Sequence, residues 1–286
     1  MFNIIYYICY IAFHYQIGGF MNNSRSRIVL SILNLISFLA VVIVNTLAVT
    51  LPINQKTTQE LSDQYPNLFV PAGVTFSIWG VIYLLLAIFV VYNLISAFKK
   101  GSGVSFSDKI GVLFFLSSIA NIAWILGWHY QMVSLSVLIM LLLLGCLLAI
   151  YLKLGIGKKG PTKKEQYLVH LPFSVYLGWI TIATIANVTA LLVQLNWNGL
   201  GLSDQFWTVA VILVGIAITL AFIFRRQDIF YALVVNWAIL GILLKQNADF
   251  VPAQSVIIVT IAGIILISVG VLIQLFRKRV YSSVTR

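Results

Sequence analysis

The sequence predicts an all-α fold: a polytopic membrane helix bundle with eight spanning helices. Hydrophobic residues make up 61% of the 286 residues and charged residues only 9%. A soluble domain of this size carries about 25% charged residues. Several apolar stretches reach the length of about 20 residues that crosses a bilayer. A water-soluble core does not account for so much apolar sequence, so lipid is the expected solvent.

Eight stretches are long and apolar enough to be predicted as spans. They are residues 28–50, 72–98, 110–130, 132–153, 167–194, 205–224, 229–245 and 254–276. The seventh is the weakest, because it is short and is interrupted by Asn236. The longest predicted outer loop covers residues 51–71.

The distribution of basic residues predicts the topology. With eight spans, 16 of the 18 Lys and Arg residues fall on one side of the membrane, and only Lys56 and Lys245 fall on the other. The positive-inside rule then predicts a multi-pass protein of the cell membrane with both termini in the cytoplasm. This topology also accounts for the net charge of +11, so the lipid bilayer is an expected partner and nucleic acid is not.

The first 27 residues are interpreted as a leader that precedes the first span. Residues 1–20 are aromatic and nearly uncharged, and they end in two glycines shortly before Met21. Two Gly codons just before a Met can encode a purine-rich ribosome-binding site. We therefore hypothesise that translation starts at Met21 and that residues 1–20 are an untranslated upstream extension. A signal peptide fits poorly, because the segment has no basic region or small-residue cleavage site.

Few residues suggest catalysis or metal binding. No acidic residue falls deep in a predicted span, which argues against a proton pump or an ion-coupled antiporter. The sequence has no phosphate loop, metal-spaced His and Glu pair or nucleophile elbow. No catalytic or metal-ligating residue is therefore assigned. His129 and His170 lie at predicted helix ends and are interpreted as interfacial polar residues, with haem or metal ligation as the alternative. No disulfide is expected between Cys9 and Cys146.

Aromatic and amide side chains inside the predicted spans are more informative. Those deeper than the interfacial aromatic belt are Trp79, Trp124, Trp179 and Trp237, and the amides include Asn45, Asn121 and Asn187. An amide in hydrocarbon must find a partner, so contact between helices is the simpler interpretation. At ~1.5 Å per residue, however, the three amides lie roughly 7–14 Å below the outer surface, on the side from which Trp79 and Tyr83 enter. Aromatic walls with a few polar groups at one depth are typical of a pocket for a flat apolar ligand.

Three motifs in these spans resemble a known family. Residues 71–83 read PAGVTFSIWGVIY, residues 121–129 read NIAWILGWH, and residues 176–187 read YLGWITIATIAN. They are similar to the Pro-rich entry, the Asn-x-x-Trp and the Tyr-x-x-Trp…Asn motifs of the TspO/MBR family, the tryptophan-rich sensory or translocator proteins. The resemblance covers residues 28–197, the five-helix unit of that family. Residues 198–286 would add three transmembrane helices and a basic cytoplasmic tail.

The resemblance implies a five-helix bundle that binds tetrapyrroles, sterol-like lipids or related aromatic ligands, often as a homodimer. No cofactor is required, and a porphyrin or haem-like molecule would be the ligand. Loop 51–71 would correspond to the family's lid over the pocket. The implied ligand-binding residues are Trp79, Tyr83, Asn121, Trp124, Trp128, Trp179, Ala183 and Asn187. Residues 188–194 lack the Tyr and the basic residue of the family's proposed sterol motif.

The leading functional hypothesis is an integral membrane receptor or transporter-like protein for a tetrapyrrole-like or lipid-like hydrophobic ligand. Two alternatives come from other classes. One is a tetrapyrrole-degrading membrane enzyme, with Trp79 or Trp179 as a redox-active side chain. The other is a regulatory or scaffold membrane protein that acts through a protein partner.

Overall fold

The computed structural model describes residues 24–50, 53–99, 106–158 and 161–284. Within these ranges the chain forms helices joined by short turns and contains no strand. The all-α prediction is therefore confirmed. The hypothesised start at Met21 lies outside the described residues.

Eight long helices, labelled α1 to α8, make up the bundle. They are Ser24–Thr50 (α1), Ile78–Ala97 (α2), Leu113–His129 (α3), Val133–Leu154 (α4), Leu171–Gln194 (α5), Asp204–Arg226 (α6), Ile229–Ala248 (α7) and Gln254–Val284 (α8). Short helices or turns precede α2, α3 and α5 at Gly73–Ser77, Phe106–Ile110 and Lys163–His170. Seven of the long helices have the length and apolar character to cross a membrane.

The remaining long helix, α3, has only 17 residues. Gly111, with a φ of 52°, separates it from the short helix Phe106–Ile110. At one end of this pair Arg27 bonds Asp108, with 2.7 Å between Nη2 and Oδ2. At the other end the Asn54 amide donates to the His129 carbonyl at 3.0 Å. The two helices together therefore run alongside the full length of α1, as the span predicted at residues 110–130 requires.

Helices α1 to α5 form a closed ring. Each packs on its neighbour in the order α1, α2, α5, α4 and α3, and α3 returns to α1. Helices α6, α7 and α8 pack on one another. They join the ring mainly through the contact of α7 with α5. A carbon atom added at Gly178 would lie 3.1 Å from the Tyr231 carbonyl oxygen, so the absence of a side chain lets α5 and α7 approach closely.

The weak seventh span is a regular helix of 20 residues. Its interrupting polar residue, Asn236, donates a hydrogen bond to Ser268 on α8 at 3.1 Å. An amide that has a partner on a neighbouring helix is compatible with a spanning position. The interruption in the hydrophobic pattern therefore marks a contact between helices.

Asp228 is buried where four elements meet, at the end of the bundle that also carries Arg27 and Arg226; we call this the basic end. The sequence places Asp228 at a helix end but does not predict its burial. Its carboxylate accepts hydrogen bonds from the Tyr151 hydroxyl at 2.9 Å and the Ser174 hydroxyl at 2.7 Å. It also caps α7 by accepting from the backbone amides of Phe230 and Tyr231. One side chain thus joins α4, α5 and α7.

We expect Asp228→Ala to lower the free energy of unfolding by about 2 kcal/mol, because it removes a helix cap and leaves buried hydroxyl groups without an acceptor. Asp228→Asn is the matched control. It keeps an oxygen for the α7 amides and should cost less. Thermal unfolding in detergent measures both. Equal midpoints for the Ala variant and the native protein would show that the carboxylate does not hold these helices together.

Candidate functional site

A short helix, Thr58–Asp63, lies over the end of the ring opposite the basic end. Thr57 and Glu60 form a capping box, in which each side chain bonds the backbone of the other residue. The helix rests on α3, where the Trp128 indole N–H donates to the Thr58 carbonyl at 3.3 Å. We call residues 57–71 the lid.

Two adjoining cavities lie beneath the lid. The first, of about 50 Å³, lies between α2, α3 and α5, and the second, of about 330 Å³, lies between α1, α2 and the lid. Thr58, Phe76 and Trp79 line both cavities. None of the residues described as lining either one is charged. The second cavity falls at the lower end of the size range of small-molecule sites, and apolar walls with a few polar groups are typical of such sites.

Five aromatic rings line the first cavity. The ring of Trp79 stacks on Tyr83 at 5.5 Å and on Trp124 at 6.2 Å, measured between centroids. The Trp179 ring meets Trp79 edge-on at 6.1 Å and Phe76 edge-on at 6.0 Å. Such offset and edge-to-face arrangements are the favourable ones for aromatic pairs. The rings therefore hold one another in place without a ligand.

Polar contacts fix the helices that carry these rings. In one chain of hydrogen bonds Asn45 donates to Asn121 at 2.8 Å, and Asn121 donates to the Tyr176 hydroxyl at 3.0 Å. This chain joins α1, α3 and α5. In a second, the Asn187 side-chain oxygen accepts from the Trp124 indole N–H at 3.1 Å, and Asn187 also pairs with Ser136 on α4. The amides are buried, so they bond one another where water is absent.

Two polar atoms at the cavities lack such a partner. The Trp179 indole N–H belongs to a residue that lines the first cavity, and the Tyr83 hydroxyl to one that lines the second. Both atoms are buried and make no hydrogen bond to any residue that the structure describes. An unpaired buried donor costs about 1–3 kcal/mol, so buried donors are normally bonded. An acceptor on a bound molecule would relieve that cost.

A third cavity, of about 300 Å³, lies at the basic end. Its lining includes Lys158, His170 and Asp228. The Asp228 carboxylate already accepts four hydrogen bonds from the protein. No aromatic cluster like that around Trp79 lines the described part of this cavity. We therefore place the candidate ligand site in the aromatic cavities.

The family model described as TSPO-like protein matches residues 31–273. The chain belongs to the TSPO-like protein family. No curated protein and no solved structure matches it. The family match continues past α5 to residue 273, so α6, α7 and most of α8 lie within the matched region of this TSPO-like protein.

The structure brings most of the predicted site residues of this TSPO-like protein together. Those that line the first cavity are Trp79, Trp124, Trp128, Trp179, Ala183 and Asn187. Tyr83 lines the second cavity. Asn121 lines neither of these two cavities; it is buried and pairs with Asn45 and Tyr176. His129 and His170, interpreted from the sequence as interfacial, are both buried.

The predicted set of ligand-binding residues did not include Phe76, Asn45, Thr58 or Ser62, which line the cavities. Phe76 lies one helical turn before Trp79 in the same motif and lines both cavities. Asn45, noted only for its depth, lines the second cavity. Thr58 and Ser62 belong to the lid helix and line the first. The Thr-x-x-Glu spacing of Thr57 and Glu60 is a helix-start signal that could have predicted this helix.

The lid of this TSPO-like protein should respond to acid. The Glu60 carboxylate accepts hydrogen bonds from the backbone N–H and the hydroxyl of Thr57 at 2.7 and 3.0 Å. These bonds lower the pKa of Glu60 from its ordinary value of 4.5. A lowered pKa means that the carboxylate stabilises the lid helix at neutral pH and that this contribution is lost as the pH falls through the lowered pKa.

Amide hydrogen exchange of residues 57–63, compared between the native protein and Glu60→Gln at equal pH, tests this expectation. The native lid should be better protected at pH 7, and the difference should disappear in acid below the lowered pKa. Comparing the two proteins at each pH cancels the intrinsic pH dependence of exchange. A difference that does not change with pH would contradict the assignment.

Proposed function

We propose that this protein binds a flat, largely apolar ligand of the tetrapyrrole-like or lipid-like class beneath the lid and acts as a membrane receptor or transporter. The observation that carries the proposal is the pair of adjoining uncharged cavities that share Trp79. A flat ring system would stack on the indole faces. Membership of the TSPO-like family supports the same class of ligand.

The unpaired donors at the cavities indicate which functional groups the ligand would carry. The Trp179 indole N–H and the Tyr83 hydroxyl are buried without partners. A ligand with a carbonyl, carboxyl or ring-nitrogen acceptor would satisfy them, whereas a pure hydrocarbon would leave them unpaired. Since the described lining carries no charged side chain, any charged group of the ligand would remain near the mouth of the site.

Quenching of Trp fluorescence by protoporphyrin IX on detergent-purified protein tests the site. We expect saturable quenching by the native chain and a Kd that is higher by about two- to tenfold in Trp179→Phe, because Phe keeps an aromatic face but removes the indole N–H that would bond the ligand, and such a hydrogen bond contributes about 0.5–1.5 kcal/mol. The matched control is Trp207→Phe. Trp207 lies on α6, donates to the Gly199 carbonyl at 2.8 Å and lines neither aromatic cavity.

The two variants separate a specific site from general adsorption of the dye. Weaker binding in Trp179→Phe alone would support the site beneath the lid. Equal effects of both substitutions, or quenching that does not saturate, would refute it for this ligand.

We further propose that both chain ends face the cytoplasm, as the basic end of the bundle indicates. In a variant without native cysteines, Gln64→Cys on the lid side should react with a membrane-impermeant maleimide in intact cells. Lys164→Cys at the basic end should react only after permeabilisation. Both positions are exposed, so accessibility depends on the side of the membrane alone. The reverse labelling pattern would invert the topology.

A further inference from the structure

Helix α7, which lies outside the five-helix ring, contacts the lid and its continuation into α2 along one row of residues. Trp237, Gly241 and Lys245 are each four residues apart, a spacing that places them on one face of a helix. Each contacts the segment 63–75. The contacts run antiparallel to α7, from Thr75 at Trp237 to Asp63 at Lys245.

The first contact of this row is a partly buried hydrogen bond. The Trp237 indole N–H donates to the Thr75 carbonyl at 3.0 Å, and Thr75 is fully buried. Thr75 directly precedes Phe76, which lines both aromatic cavities. This bond therefore fixes the backbone immediately next to a wall residue of the site.

The second contact is a close approach of two backbones. The Ala72 amide donates to the Gly241 carbonyl at 2.9 Å. A carbon atom added at Gly241 would collide with the Thr75 side chain. Glycine at this position is thus what allows α7 to lie against the segment that leads from Pro71 into α2.

The third contact reaches the lid helix itself. The Lys245 ammonium pairs with the Asp63 carboxylate at 2.6 Å, and both side chains are about 40% exposed. Beside it, the Gln246 side chain donates to the Leu68 carbonyl at 3.3 Å. An exposed ion pair contributes little to stability. Most of the attachment therefore comes from the Trp237 and Gly241 contacts, and the ion pair orients the end of the lid.

We infer that α7 positions the lid of the ligand site through Trp237, Gly241 and Lys245, so that the site beneath the lid depends on a helix outside the five-helix ring. The role in ligand binding rests on the proposed function. The attachment of the lid does not, because it can be measured without a ligand. These three residues line neither aromatic cavity and act through the segment 63–75.

The test compares amide hydrogen exchange of residues 57–75 in the full-length native protein with that in Gly241→Ala. Forcing a methyl group against Thr75 should speed exchange of this segment about tenfold or more, while α4 stays protected. Gly263→Ala is the matched control, because the added carbon meets only the Ile216 and Ile239 side chains, away from the lid. Unchanged exchange in Gly241→Ala, or equal acceleration in Gly263→Ala, would overturn the inference.

A charge exchange provides a second, independent readout. Lys245→Asp places like charges beside Asp63 and should speed exchange of residues 57–63 by about two- to fivefold. Adding Asp63→Lys to that variant should restore protection, which a merely structural loss at Lys245 would not allow. Failure of the rescue would remove Lys245 from the positioning role.

Binding of protoporphyrin IX to the same variants separates this inference from the proposed function. Faster dissociation from Gly241→Ala than from Gly263→Ala would support both. A native protein that does not bind protoporphyrin, but whose lid loosens in Gly241→Ala, would refute that ligand and leave the attachment of the lid standing. Unchanged dissociation from a loosened lid would show that the lid does not retain the ligand.

Discussion

Polar side chains inside a membrane bundle must find their partners in the protein, because lipid tails offer none. The rest of this structure depends on how that requirement is met. Asn45, Asn121 and Tyr176 bond in a chain from α1 through α3 to α5. Asn187 bonds both Trp124 on α3 and Ser136 on α4. These bonds set the spacing and rotation of α1, α3, α4 and α5. The positions of the aromatic rings that lie between these helices are thereby restricted.

One consequence is that the aromatic wall is preorganised, which reduces the entropy a ligand must remove on binding. The indole N–H groups of Trp124 and Trp128 are bonded to Asn187 and to the lid, so their rings are held while their faces remain available for stacking. Trp179 differs, since its ring is packed against Trp79 and Phe76 but its N–H is unpaired. Packing therefore fixes the Trp179 ring, while its indole N–H can still donate a hydrogen bond.

The sequence predicts the parts of this arrangement that depend on one-dimensional pattern. Apolar length and the charge distribution place the spans, and the family resemblance implies six of the residues that line the first cavity. The sequence does not predict which side chains of a helix face the cavity. Asn121, for example, does not line the cavity but bonds Asn45 and Tyr176. Asp228 also escapes prediction, because its burial depends on Tyr151 and Ser174 arriving from two other helices. The role of α7 depends entirely on its packing.

The two ends of α7 are held by different parts of the protein. At its start Asp228 bonds it to α4 and α5, and along α5 the Gly178 contact brings the backbones together. At its other end Lys245 and Gln246 contact the lid. A packed helix moves as a unit rather than bending gradually. Opening the lid must therefore either break the contacts of Lys245 and Gln246 with it or shift α7 against α5. The first route breaks an exposed ion pair and one hydrogen bond, whereas the second disturbs a buried carboxylate network at the far end of the bundle, so the first is the less costly.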